Sequence, residues 1–147
     1  MELTAEITTK NIRESRFAPV VTFATDEEGS LIGELVKTNG FKIEADWSEV
    51  PNWLVAKEGE KIIGCLQVLI GKPVARGEML ATDPELDSIK RAQVAWRLIV
   101  AASAIFKMNG CQFASMMILF ENKHFKRLVK KRGAWTIGQG NIMIARI

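Results

Sequence analysis

The stretch Ile62-Ile63-Gly64-Cys65-Leu66-Gln67-Val68-Leu69-Ile70 is apolar at nearly every position, and this constrains the fold more than any other feature. A strand wetted on one face alternates apolar and polar side chains, whereas a strand covered on both faces does not. Such a strand belongs inside a sheet with helices on each side. The run Trp53-Leu54-Val55-Ala56 precedes it, and the polar turn Lys57-Glu58-Gly59-Glu60-Lys61 joins the two as a β-hairpin. Gly71-Lys72-Pro73 ends the second strand, and residues 113–120 form another run that reads as doubly buried.

Between these runs lies a strand–turn–helix unit. Residues 77–82 read as a strand, Asp83-Pro84 as a turn, and residues 88–108 as a long helix stopped by Asn109-Gly110. A strand feeding a helix through a polar turn gathers unpaired backbone N–H groups at one point, with the helix macrodipole behind them. The arrangement suits a phosphate or carboxylate.

The remaining elements follow local signals. Val20-Val21-Thr22-Phe23 is a β-rich run, and Thr25-Asp26 supplies N-cap chemistry for a helix over residues 26–37 with Leu31, Leu35 and Ile32 inward. Asn39-Gly40 stops it, and residues 41–52 read as a loop with one helical turn. A short basic helix covers residues 122–132. Residues 135–137 and 142–145 form a last hairpin around Gly138-Gln139-Gly140-Asn141. The expected order is β-α-(short α)-β-β-β-α-β-α-β-β, an α/β architecture. An extension of residues 1–18 precedes one domain over residues 19–147, out of 147 in all.

Charge is unevenly spread. Residues 1–75 carry 8 basic and 12 acidic side chains, and residues 76–147 carry 12 and 5. Positive charge therefore gathers in the half that holds the strand–turn–helix, as suits an anionic ligand or a plain solvated surface. Cys65 and Cys111 lie far apart in apolar surroundings, which predicts reduced, buried thiols and no metal site. The start of the chain lacks a basic region followed by an apolar run, so no signal peptide is expected. The most apolar stretch, residues 94–106, is interrupted by Arg97 and Ser103 and is too short to span a bilayer. These features predict a cytoplasmic protein without a membrane partner.

Three stretches carry a family resemblance: Glu78-Met79-Leu80-Ala81-Thr82-Asp83-Pro84; the following helix, with Ala92, Ala95, Ala101, Ala102 and Ala104; and Asn122, Phe125, Leu128 and Gly133-Ala134 at their mutual spacing. With the element order, they resemble the GNAT (N-acetyltransferase) superfamily. The resemblance implies a mixed central sheet with splayed central strands and flanking helices, acetyl-CoA as cofactor, and an amine as acceptor. It places the pyrophosphate on backbone amides near Lys90, Arg91, Ala92, Gln93, Val94 and Ala95, with Glu78 as general base and Asn122 as a pantetheine contact.

The residues themselves leave alternatives open. Gln93 and Arg91 stand where the family often has glycine, which allows close approach of the backbone to a phosphate. Lys90 and Arg91 fall in the first turn of the helix, where cations are unfavourable by about 0.3–1 kcal/mol each. Either they meet a phosphate or Glu85 and Asp87 neutralise them locally. Glu78 is either a base in a cleft or a solvated strand-edge carboxylate. Asn122 serves equally as a helix N-cap. His124 reads as a surface residue. The position after the late leucine, a tyrosine in many family members, is Val129, and the chain has no tyrosine.

Lys123, Lys126, Arg127, Lys130 and Lys131 share one face of the basic helix, opposite Phe125, Leu128 and Val129. That face is either simply solvated or a contact for an acidic protein or nucleic acid. The second class of function is therefore a catalytically inactive GNAT-fold binding or structural module. The degenerate loop, the missing tyrosine and the Gly133-Ala134 ending resemble some phage-encoded GNAT-like proteins.

Overall fold

The computed structural model describes residues 17–42, 52–117, 122–132, 136–137 and 142–146. Most of the predicted extension, the loop after residue 42, the end of the run 113–120 and the last turn lie outside these residues. Seven strands form one sheet: β1 (Val20–Phe23), β2 (Trp53–Glu58), β3 (Lys61–Leu69), β4 (Val74–Thr82), β5 (Phe113–Met117), β6 (Thr136–Ile137) and β7 (Ile142–Arg146). Their order across the sheet is β1-β2-β3-β4-β5-β7-β6. All neighbours are antiparallel except β4 and β5. That parallel pair is joined by the longest helix, as a parallel crossover requires.

The β2–β3 turn is tighter than the sequence suggests. Glu58 pairs with Lys61, leaving only Gly59 and Glu60 between the strands. Gly59 takes φ of 62°, the positive value that glycine adopts without a Cβ clash at the first central position of such turns.

Among the described residues three α-helices flank the sheet: α1 (Gly29–Thr38), α2 (Ser88–Met108) and α3 (Lys123–Arg132). Residues 26–28, predicted as the start of α1, form instead a 3-10 turn. The Glu28 carboxylate reaches back to accept the Thr25 N–H at 2.9 Å and the Thr25 hydroxyl at 3.1 Å, and it pairs with Lys57 at 2.7 Å. The phase of α1 also differs from the prediction. Ile32 and Val36 point inward, four residues apart on one face, while Leu31 is 52% exposed.

The core has two halves, one on each face of the sheet. On one face Leu54, Leu66, Val68 and Leu80 pack against Val94, Leu98, Ile99 and Phe106 of α2, and Phe125 and Val129 of α3 complete the layer. On the other, Ile32 and Val36 of α1 cover Trp53, Val55, Cys65 and Ala81. β3 thus lies between helical layers, as its apolar run predicts. α2 packs closely over Gly64: a Cβ there would meet Val94 Cγ1 and Leu98 Cδ1. Both cysteines are buried and unlinked. Burial pushes the Cys65 thiol far above its ordinary pKa, against a smaller lowering by a hydrogen bond with the Ala81 backbone.

The centre of the sheet is where the fold departs from regularity. β4 pairs with β5 only from Val74 to Gly77, opposite residues 113–116. β4 then continues to Thr82 with no partner on its β5 side among the described residues, so the two central strands part after Gly77. A bulge falls just beyond. Gln67 pairs with Glu78 and Cys65 with Ala81, leaving Met79 and Leu80 opposite Leu66 alone, and Met79 takes φ of 55°. A bulge of this kind bends a strand and increases its twist. β5 is not doubly buried as predicted. Ala114 and Met116 are buried, whereas Phe113 on the other face is exposed and Ser115 partly so.

Candidate functional site

The parting of β4 from β5 places Glu78 first on the unpaired segment. Its cross-strand neighbour is Gln67 of β3, and residues directly opposite share a face. Arg76, two residues back on that face, reaches Glu78 with Nη1 at 3.5 Å from Oε1. Ser115 of β5 stands opposite Arg76. The side chains of Arg76 and Glu78 are 61% and 34% exposed, whereas Gln67 as a residue is only 6% exposed. The Gln67 side chain has no hydrogen-bond partner among the described residues, although its backbone belongs to the sheet. Sequence reasoning passed over it, although one signal was there: it is the single polar side chain between Ile62 and Ile70.

The turn from β4 into α2 is held by its own carboxylates. Asp83 donates its N–H to the Ile63 carbonyl at 2.9 Å, continuing the sheet register. Its side chain accepts the Glu85 N–H at 2.9 Å and pairs with Lys61 at 3.1 Å. Burial raises the Asp83 pKa, but the Glu85 N–H and the Lys61 ammonium, with help from the Arg91 charge, hold it below the ordinary carboxylate range. Asp87 is the N-cap of α2 and accepts the Lys90 N–H at 2.9 Å, while its carbonyl accepts that of Arg91. α2 therefore begins at Ser88, and the amides of residues 92–95 lie inside it, where each bonds to the carbonyl four residues back. The backbone amides of Lys90, Arg91, Ala92, Gln93, Val94 and Ala95 are accordingly satisfied within the turn and helix.

The side chains of the same stretch separate. Arg91 donates through Nε to the Thr82 hydroxyl at 2.9 Å and through Nη2 to Asn39 Oδ1 at 3.3 Å. Burial pushes its pKa down and the nearby Asp83 charge pushes it up. Asn39 in turn exchanges bonds with the Thr82 backbone, donating at 3.0 Å and accepting at 3.3 Å. This network ties the end of α1 to the end of β4. Lys90 lies over the Phe17 ring, 5.2 Å from its centroid. Ala92, Val94 and Ala95 are buried. Gln93 is exposed on the α2 surface.

Asn122 is 8% exposed and joins two helices. Its Oδ1 accepts the N–H groups of His124 at 2.9 Å and Phe125 at 3.1 Å, which caps α3. Its Nδ2 donates to the Ser88 carbonyl at 2.8 Å, at the start of α2. Beside this contact lies a pocket of about 240 Å³ between the two helices, lined by Ile89, Gln93, His124, Arg127 and Lys131 among others. A larger groove of about 1030 Å³ crosses the outer face of α2 between Val21, Trp96, Arg97, Leu128 and Arg132. Of the predicted site residues, the fold brings Asn122, Lys90 and Gln93 to the start of α2. Glu78 stands apart, on the sheet face that α1 covers.

Every charged residue of α3 is basic: Lys123, Lys126, Arg127, Lys130, Lys131 and Arg132 are all exposed. Among the described residues no helix is long and apolar enough to cross a membrane, and no group of histidine, cysteine, aspartate and glutamate side chains could hold a metal ion.

No protein-family model matches the chain, and no curated protein sequence matches it. Solved structures do. Ard1 from Thermoplasma volcanium superposes with a TM-score of 0.67 at 13% identity, over 88% of this chain and 98% of that one. Rv2747 from Mycobacterium tuberculosis, solved with CoA, gives 0.64 at 16% over 82% and 74%. Diaminobutyrate acetyltransferase EctA from Paenibacillus lautus, solved with L-2,4-diaminobutyric acid and coenzyme A, gives 0.63 at 10% over 88% and 95%. The chain has the GNAT, acyl-CoA N-acyltransferase fold.

Proposed function

We propose that the protein is an acyl-CoA-dependent N-acyltransferase that transfers an acetyl group directly to an amine. The observation that carries this reading is the parting of β4 and β5 after Gly77, with Glu78 at the point of divergence. Main-chain N–H and C=O groups of β4 beyond that point have no partner from β5 among the described residues. An extended, amide-bearing arm can pair with them as an added strand does. Acetyl-CoA has such an arm and, when bound, supplies the acyl group as an activated thioester.

The chain's own residues divide the remaining work. Glu78 accepts a proton from the acceptor's ammonium and frees the nitrogen lone pair for attack. No tyrosine is present to protonate the departing sulfur, and the buried Val129 fills that position, so solvent supplies that proton. The anionic end of the cofactor would then be held differently from the pattern that the resemblance implies. Asp83 and Asp87 already occupy amides of the turn, so the phosphates would rest on side chains around the interhelical pocket: Gln93, His124, Arg127 and Lys131. Asn122 fixes the two walls of that pocket relative to each other and would contact the pantetheine arm of a bound cofactor.

Thiol release from acetyl-CoA in the presence of an amine panel tests this. Glu78→Gln is expected to lower kcat by about 10²- to 10⁴-fold while leaving acetyl-CoA affinity within about twofold. Thiol release that is independent of added amine, or unchanged in Glu78→Gln, contradicts the assignment.

One observation supports a second reading, a binding module without turnover: the uninterrupted positive face of α3. A polyanion bound there would compete with the cofactor's phosphates at Arg127 and Lys131, so competition by acetyl-CoA distinguishes a shared site from a separate one.

A further inference from the structure

The strip Gln67–Arg76–Glu78 carries more information than a general base needs. The inference drawn from it rests on the acyltransferase reading. Glu78 alone would suffice to take a proton. Instead it faces a guanidinium at 3.5 Å and a buried carboxamide on the next strand. Ion-pair geometry of this length is loose, since well-formed charge-assisted bonds close to about 2.7–2.9 Å. Both charges keep solvent access, so a ligand can enter between or over them.

Gln67 is the sharper sign. Every other residue from Ile62 to Ile70 is apolar or glycine or cysteine, and an apolar side chain would fit the layer that contains Cys65 and Trp53. The residue is only 6% exposed, yet its carboxamide makes no hydrogen bond within the protein among the described residues and is not a sealed, unsatisfied group. A partner that arrives from outside can therefore reach it. The three groups together offer a cation, an anion and an amide that both donates and accepts, all on one sheet face and at the place where β4 leaves β5.

We infer that Gln67, Arg76 and Glu78 form the acceptor-recognition site, and that the acceptor is an α-amino acid, an amine that carries its own carboxylate. The ammonium pairs with Glu78, from which its proton is taken. The carboxylate pairs with Arg76, and the Gln67 amide hydrogen-bonds the ligand from the floor of the site. Discrimination follows from the pairing. An amine without a carboxylate leaves Arg76 bound to Glu78, so it competes with the protein's own ion pair for its binding partner. An amino acid replaces that ion pair with two of its own.

The test is equilibrium binding by calorimetry and thermal shift. The twenty free α-amino acids, and for each the corresponding decarboxylated amine, are titrated into the full chain without cofactor. At least one amino acid is expected to bind about tenfold or more tightly than its decarboxylated amine. Arg76→Leu, a change at an exposed position, is expected to abolish that preference without altering the thermal midpoint of the unliganded protein. Gln67→Leu, matched in size, is expected to weaken the amino acid at least about threefold. Equal affinity for the two members of every pair overturns the inference. So does an unchanged preference in Arg76→Leu, or no binding by any amino acid at about 10 mM. Acetyl-CoA binding is measured separately. If acetyl-CoA binds and no amino acid does, the acceptor assignment fails while the acyltransferase reading stands; the reverse result has the reverse meaning.

Discussion

Asn122 offers a perturbation whose size can be worked out bond by bond. Replacing it with alanine removes two N-cap bonds to α3 and one bond to the Ser88 carbonyl of α2. Loss of an N-cap asparagine costs about 1 kcal/mol. The Ser88 carbonyl also accepts within α2, so losing the interhelical bond costs a net of about 0.5–1.5 kcal/mol. The sum is about 2 kcal/mol for Asn122→Ala. Asn122→Ser keeps a capping hydroxyl but is too short to reach Ser88, so only the second part is lost, about 1 kcal/mol. For a chain of this length about 1 kcal/mol moves Tm by about 2–4 °C. Thermal unfolding by circular dichroism should therefore rank wild type above Asn122→Ser above Asn122→Ala, with drops of about 2–4 and about 4–8 °C. Denaturant titration with unchanged m-values would confirm that the folded state alone is affected. If serine is as damaging as alanine, the cap contributes nothing. If both match wild type, the helix-to-helix bond is not part of what holds α3 in place.

Other perturbations follow from particular contacts. Gly64→Ala places a Cβ against Val94 and Leu98; calorimetric unfolding should show a loss of about 1–3 kcal/mol, the usual cost of overpacking. Gln67→Leu removes a buried amide that lacks a protein partner, so the unliganded protein should be unchanged or more stable by up to about 1 kcal/mol, and a lower Tm would mean that the amide is satisfied. Asp83 and Glu28 have depressed pKa values. Burial raises both, and hydrogen bonds and their lysine partners outweigh it. Stability from a depressed carboxylate is complete above its unfolded pKa, about 3.9 for aspartate, and is lost as pH falls through the folded value. Tm should therefore be flat above about pH 5 and fall below it, and Asp83→Asn should lower Tm near neutrality and flatten the acid limb.

The layered architecture was legible because it depends on periodicity. An apolar run such as 62–70 needs cover on two sides, and α2 carries its own stop in Asn109-Gly110. The phase of α1 was not legible, because Leu31 and Ile32 are equally apolar and only the sheet surface decides between them. The half-open face of β5 was hidden for a related reason: Phe113 is apolar wherever it points. At the site, Glu78 and Asn122 were visible as residue types in a family pattern, but their partners were not. Arg76, Gln67 and Ser88 are brought in by strand register and helix packing across many intervening residues. The capture of turn amides by Asp83 and Asp87 was half visible. Asp87 was read with Glu85 as a local counter-charge to Lys90 and Arg91, whereas Asp83 is the buried carboxylate, and Glu85 donates its N–H to it and lies 3.8 Å from Lys61.

The central claim is that this fold binds acetyl-CoA with its phosphates on side chains of the interhelical pocket. Calorimetric titration of the full chain with acetyl-CoA, repeated with Arg127→Ala/Lys131→Ala, tests it most directly. The account predicts micromolar affinity that falls at least about tenfold in the double variant and raises Tm of the wild-type protein in proportion to ligand concentration. No heat and no thermal stabilisation at about 1 mM acetyl-CoA would contradict it, because a ligand that binds only the native state must stabilise that state.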